Sequence, residues 1–136
     1  MTSSLSTLAT CRTAESVITE LHTVPTAQVG CSHLLAQLRH RIEVQVVERD
    51  VPRATVALVV ADGVDETMLR TVRRLHRERG LSVVLIIGIL EPHSLLSIVE
   101  SGVCAALPRA DATAERVVRA VQAAARRHGA RPAQVL

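Results

Sequence analysis

The carboxylate best placed for chemistry is Asp62, in VALVVADGVDETML (Val56–Leu69), where an apolar run passes into an acidic turn and then a helix. A carboxylate just beyond a buried strand can ligate a metal ion or accept a phosphoryl group, provided that other oxygen ligands share a hard cation such as Mg²⁺. The remaining reactive residue types are scattered. His22, His33, His40, His76, His93 and His128 show neither HxxxH nor mixed Cys/His spacing, and read as surface or cap residues. Cys11, Cys31 and Cys104 are isolated and odd in number, which fits reduced thiols in a cytoplasm. No glycine-rich phosphate loop occurs, and no Ser or Cys lies in a nucleophile-elbow context. No enzyme activity, metal or cofactor is expected.

The 136 residues suit one domain, and 48% apolar content supplies a core. The apolar run Ser82–Leu90 is too short to span a bilayer, and no secretory signal opens the chain. A cytoplasmic protein without membrane contact is expected. Phe, Tyr, Trp, Lys and Asn are absent, and all sixteen basic residues are Arg, a pattern of GC-rich coding. Readers of single-stranded nucleic acid stack bases on aromatic rings, so that class is disfavoured. The net charge of +3 is mild for a duplex-binding surface.

The elements that must position Asp62 alternate. Residues 1–14 read as a flexible arm, 15–128 as the domain, and 129–136 as the start of a linker. SVITEL (Ser16–Leu21) reads as a strand. Pro25 suits a helix start, with Cys31, Leu34, Leu35, Leu38 and Ile42 forming an apolar stripe. IEVQVV (Ile42–Val47) and ATVALVVA (Ala54–Ala61) read as strands, the second buried on both faces. Asp65 caps a helix with Met68, Leu69, Val72 and Leu75 inward, and Gly80 ends it. LSVVLIIG (Leu81–Gly88) is a buried strand. A helix from Pro92 to Ser101 is expected to turn Leu95, Leu96 and Val99 inward and to stop at Gly102. VCAALP (Val103–Pro108) is the last strand. Asp111 or Thr113 caps a final helix whose Val117, Val118, Val121 and Ala125 face inward. Such alternation implies a mostly parallel sheet with helices on both faces. Only ERDVPR separates Val47 from Ala54, less than a usual parallel crossover. Either the second helix has shrunk to a turn, or the two strands form a hairpin.

Over roughly residues 16–128 this order resembles the receiver domain of bacterial response regulators. VPTAQVGCSHLLAQL resembles the start of the first receiver helix. VVLIIGILEPHSLLSIVESGVCAALPRADATAERVVRAVQAAA resembles a receiver's second half. VVADGVDETMLRTVRRL, VESGV and LPRADATAERVVRAV are similar to the degenerate receivers of LuxR/NarL-type actinobacterial transcription regulators. The resemblance implies a flavodoxin-like fold, strand order 2-1-3-4-5, with ligands at the carboxyl ends of strands one and three.

The same resemblance allows the phosphotransfer parts to be checked. The Mg²⁺-binding acidic pair falls on His22 and Thr23, neither acidic. Spacing places the acceptor at Val60, two residues before Asp62. The switch hydroxyl falls on Ile87 or Gly88. The phosphate-pairing Lys becomes Arg109, charged but different in shape, and the aromatic switch position becomes Ala106. The implied function is a non-catalytic, phosphorylation-independent regulatory and dimerisation domain of a transcription regulator. The alternative is a ligand sensor using the vacated pocket of His22, Thr23, Asp62, Ile87, Gly88 and Arg109. In the family, DNA is bound through a helix-turn-helix module, which is not in this chain.

Arg70, Arg73, Arg74 and Arg77 lie on one helix. Glu66–Arg70 and Arg74–Glu78 have the spacing of i,i+4 pairs and suggest a solvated face, a DNA-binding stripe being the alternative. The expected homodimer face comprises Leu95, Glu100, Asp111, Arg116 and Arg119, with cross-subunit pairs from Arg116 or Arg119 to Glu100 or Asp111.

Overall fold

The computed structural model describes residues 16–23, 32–48 and 52–135, with side chains as far as residue 127. The expected arm, Pro25 and Cys31 lie outside the described residues. Five strands, β1 (Val17–Thr23), β2 (Val44–Val47), β3 (Val56–Ala61), β4 (Ser82–Ile87) and β5 (Val103–Pro108), form one sheet in the order 2-1-3-4-5. Every neighbouring pair is parallel. The helices are α1 (Ser32–Arg39), α2 (Glu66–Arg73), α3 (Leu95–Ser101) and α4 (Ala114–Val135).

β3 and β4 are buried at every position, as their unbroken apolar runs require of strands covered on both faces. On one face Leu34 and Leu38 of α1 and Val117 and Val121 of α4 pack with Leu21, Leu58, Val60 and Ile86. On the other, Met68 and Val72 of α2, Leu75 and Ile98 pack with Ala57, Val59, Leu85 and Ile87. Asp65 caps α2 by accepting the Met68 N–H at 2.8 Å. The helix then widens into a π turn, Arg74–Glu78, and Leu81 N–H donates to the Leu75 carbonyl at 3.1 Å.

The connection from β2 to β3 carries no helix among its described residues; Pro52 and Arg53 form a turn. Both strands run parallel to β1, which excludes the hairpin. The register explains how so short a crossover works. Val47 lies beside Glu20 and Val56 beside Thr19. The chain therefore returns by one residue, ~3.3 Å, while crossing two strand spacings, ~10 Å. Glu48–Thr55 holds eight residues, and each can span ~3.3–3.6 Å. β2 leaves the sheet early and β3 enters late, so no helix is needed to cover the distance.

Three expectations are corrected. Leu95, Leu96 and Val99 do not face the core: Leu96 is 68% and Val99 65% exposed, whereas Ile98 and Ser101 are buried. A 3-10 turn, Pro92–Ser94, leads into α3 and sets its rotation. Ile42 is exposed because α1 ends at Arg39, before the stripe reaches it. The backbone of α4 continues to Val135; Gly129 and Pro132 weaken a helix but do not end this one. Among the described residues neither Glu66–Arg70 nor Arg74–Glu78 forms an ion pair, and the one i,i+4 pair is Glu115–Arg119, 2.6 Å. Within an i→i+5 turn, Glu78 is not stacked over Arg74; nothing in the structure explains the missing Glu66–Arg70 contact.

At Gly102 the backbone is left-handed, φ 106°. A Cβ there would lie 2.5 Å from the His76 ring. His76 belongs to the π turn, so glycine lets that turn press against the C-terminus of α3.

Candidate functional site

The carboxyl ends of the parallel strands converge on Asp62. The register sets Thr23 beside Val60, Ala61 beside Ile87, and Ile87 beside Pro108. Asp62 and Gly88 each follow directly on a strand end, and Arg109 follows β5. Arg109 Nη2 donates to Asp62 Oδ1 at 2.9 Å, with the two side chains 30% and 48% exposed. Gly88 lets the two strand ends close together. Its N–H donates to the Ala61 carbonyl at 2.9 Å, and Ile89 N–H donates to the Asp62 carbonyl at 3.0 Å. A Cβ at position 88 would stand 2.7 Å from that Asp62 oxygen and 3.4 Å from Arg109 Nη2. Glycine at position 88 thus permits the close backbone approach.

Of the six pocket residues read from the sequence, Asp62, Gly88 and Arg109 are brought together. Thr23 closes β1 at half-burial. Ile87 is fully buried and packs with Met68 and Val72, so its side chain belongs to the core. His22 is engaged along its own strand, with Nε2 3.0 Å from Glu20 Oε1. Among the described residues no group of three His, Cys, Asp or Glu is placed to hold a metal ion. Arg109 also borders a cavity of about 430 Å³ that includes His33 and Gln37 of α1 and Thr113. Thr113 is the α4 cap, its hydroxyl accepting Arg116 N–H at 3.2 Å.

Sequence reasoning missed Glu20. Val17 and Leu21 face α1 and α4, and Ile18 faces the other side. Alternation sends Glu20 to the side of Ile18. There it has no solvent exposure and is paired with Arg79, 59 residues away, and with His22. A lone acidic residue inside SVITEL was the available signal. Its partner, just past the π turn, was not legible.

The expected dimer face is an exposed surface. Leu95, Glu100, Asp111, Arg116 and Arg119 are all exposed. Arg119 is engaged by Glu115 of its own helix. Leu96 and Val99 add large exposed apolar groups on the helix that carries Leu95 and Glu100.

No protein-family model matches the chain, and no curated protein does. Solved structures do. The signal receiver domain of the response regulator NarL from Mycobacterium tuberculosis aligns with a TM-score of 0.60 at 23% identity, covering 82% of this chain and 98% of that one. A CheY-like receiver domain protein from Methanospirillum hungatei gives 0.59 at 11% identity, covering 83% and 97%. A pilus assembly protein, CpaE, from Burkholderia thailandensis gives 0.55 at 17% identity, covering 84% and 98%. These likenesses, the strand order and the helices on both faces identify the chain as a domain with the flavodoxin-like fold of response-regulator receivers.

Proposed function

We propose that the domain is a non-catalytic receiver-like regulatory and dimerisation domain of a transcription regulator, working without phosphorylation. The observation that carries this reading is the Asp62–Arg109 pair. Asp62, the carboxylate that follows β3, is already engaged by a guanidinium, and β1 ends in His22 and Thr23, with His22 held by Glu20. Mg²⁺ seeks several oxygen ligands, and one engaged carboxylate supplies too few. The exposed apolar groups of α3 supply the dimer face, and DNA is contacted through a separate helix-turn-helix module. Likeness to NarL supports the regulator reading; likeness to CpaE supports a receiver-like domain serving another machinery.

The test is treatment with a small-molecule phosphodonor and Mg²⁺, followed by intact-mass measurement. No adduct is expected, and a stoichiometric phosphoryl adduct on Asp62 overturns the reading. For the dimer, Leu96→Ser/Val99→Ser is expected to shift the light-scattering mass to the monomer value.

The second reading, a ligand sensor, is favoured by the 430 Å³ cavity beside Arg109, within the size range of small-molecule sites. A metabolite panel that raises the melting temperature of the parent protein but not of Arg109→Ala supports it.

A further inference from the structure

A second cavity, about 630 Å³, lies at the opposite end of the sheet. Its walls come from three separate elements: Val17 at the start of β1, Arg53 and Thr55 on the short crossover, and Gln122, Ala125 and Arg126 on α4. β1 runs from this cavity to the strand ends near Asp62, a span of ~20 Å for its length, so the two sites are distinct. Val17 and Ala125 give an apolar floor, while Thr55 and Gln122 offer hydrogen bonds. Among the described residues that line it, the charge has one sign. Among the described residues no Asp or Glu lines the cavity. Among the described residues the exposed guanidiniums of Arg53 and Arg126 have no ion pair or side-chain hydrogen bond.

We infer that this cavity binds a small organic anion, a carboxylate, sulfonate or phosphate ester with an apolar body. Arg53 and Arg126 hold the anionic group through charge-assisted hydrogen bonds, and the Val17–Ala125 floor takes the apolar part. Arg53 is delivered by the eight-residue crossover. A ligand bridging Arg53 and Arg126 ties the crossover to α4, the helix whose other end begins beside Arg109.

The probe is anilinonaphthalene sulfonate, an aryl anion whose emission rises on leaving water. The chain contains no Phe, Tyr or Trp, so the probe is read without protein fluorescence. One saturable site per chain is expected, displaced by phenyl phosphate and not by benzyl alcohol. Arg53→Ala/Arg126→Ala should weaken it at least tenfold, about 1.4 kcal/mol, with an unchanged circular dichroism spectrum. Arg53→Lys/Arg126→Lys should restore binding. Leu96→Ser/Val99→Ser, which alters the other exposed apolar surface, should leave it unchanged. Absence of saturable binding, affinity that survives the double alanine variant, or binding lost in the α3 variant overturns the inference.

Discussion

Two of the domain's carboxylate–guanidinium pairs have like chemistry and opposite settings. Glu20 and Arg79 meet with Glu20 wholly removed from solvent, whereas Asp62 and Arg109 meet where both remain accessible. A buried charge is tolerable only with its partner in place, so the first pair is a structural obligation. The second is screened by water and salt and is worth little to stability. The residue that looks like an active site in the sequence therefore contributes little to the fold, and the one that looks like an ordinary strand residue contributes much.

Breaking the buried pair should have the largest effect. Arg79→Ala is expected to cost about 3–5 kcal/mol in urea denaturation, because Glu20 loses its guanidinium. Glu20→Met/Arg79→Met should recover much of that stability. A loss below ~1 kcal/mol for Arg79→Ala would place this pair with surface pairs and remove the contrast. Next comes Gly88→Ala, at about 1–3 kcal/mol. The new methyl group meets the Asp62 backbone oxygen, which cannot swing aside as a side chain does. Asp65, three residues past Asp62, offers a third carboxylate for calibration. Its cap bond to Met68 N–H makes Asp65→Ala worth about 1 kcal/mol. Asp62→Asn should cost no more than ~1 kcal/mol, and its effect should shrink as salt is added.

The smallest effect concerns acid. Glu43 is held below its ordinary pKa by its own backbone N–H and then by Arg41. A lowered folded pKa means that its contribution is complete above the unfolded pKa. The contribution disappears as pH falls through the folded one. Glu43→Gln should therefore flatten only the acid limb of a stability–pH curve.

The contrast also marks what a sequence discloses. β5 was legible to the residue, and β3 and β4 nearly so, because unbroken apolar runs leave a parallel strand few alternatives. The rotation of α3 was not legible. LLSIVES is apolar at Leu95, Leu96, Ile98 and Val99, so the larger apolar group suggested the wrong inner face. The preceding 3-10 turn sets the rotation, and residue spacing does not record it. Asp62 was legible as a strand-end carboxylate. Its engagement by Arg109, 47 residues on, depended on how the strand ends line up. Glu20 and Arg79 lie further apart still, and burial rather than residue type gives that pair its weight.

The abbreviated crossover has a consequence for how the domain opens. β2 contributes four residues and pairs with β1 alone, while β3 lies between β1 and β4. With no crossover helix among the described residues pinning it from outside, the β2 edge has the fewest interactions to lose in a partial opening. Amide exchange should therefore be graded across the sheet, fastest at β2 and slowest at β3 and β4. The domain would loosen from one margin and leave its centre intact.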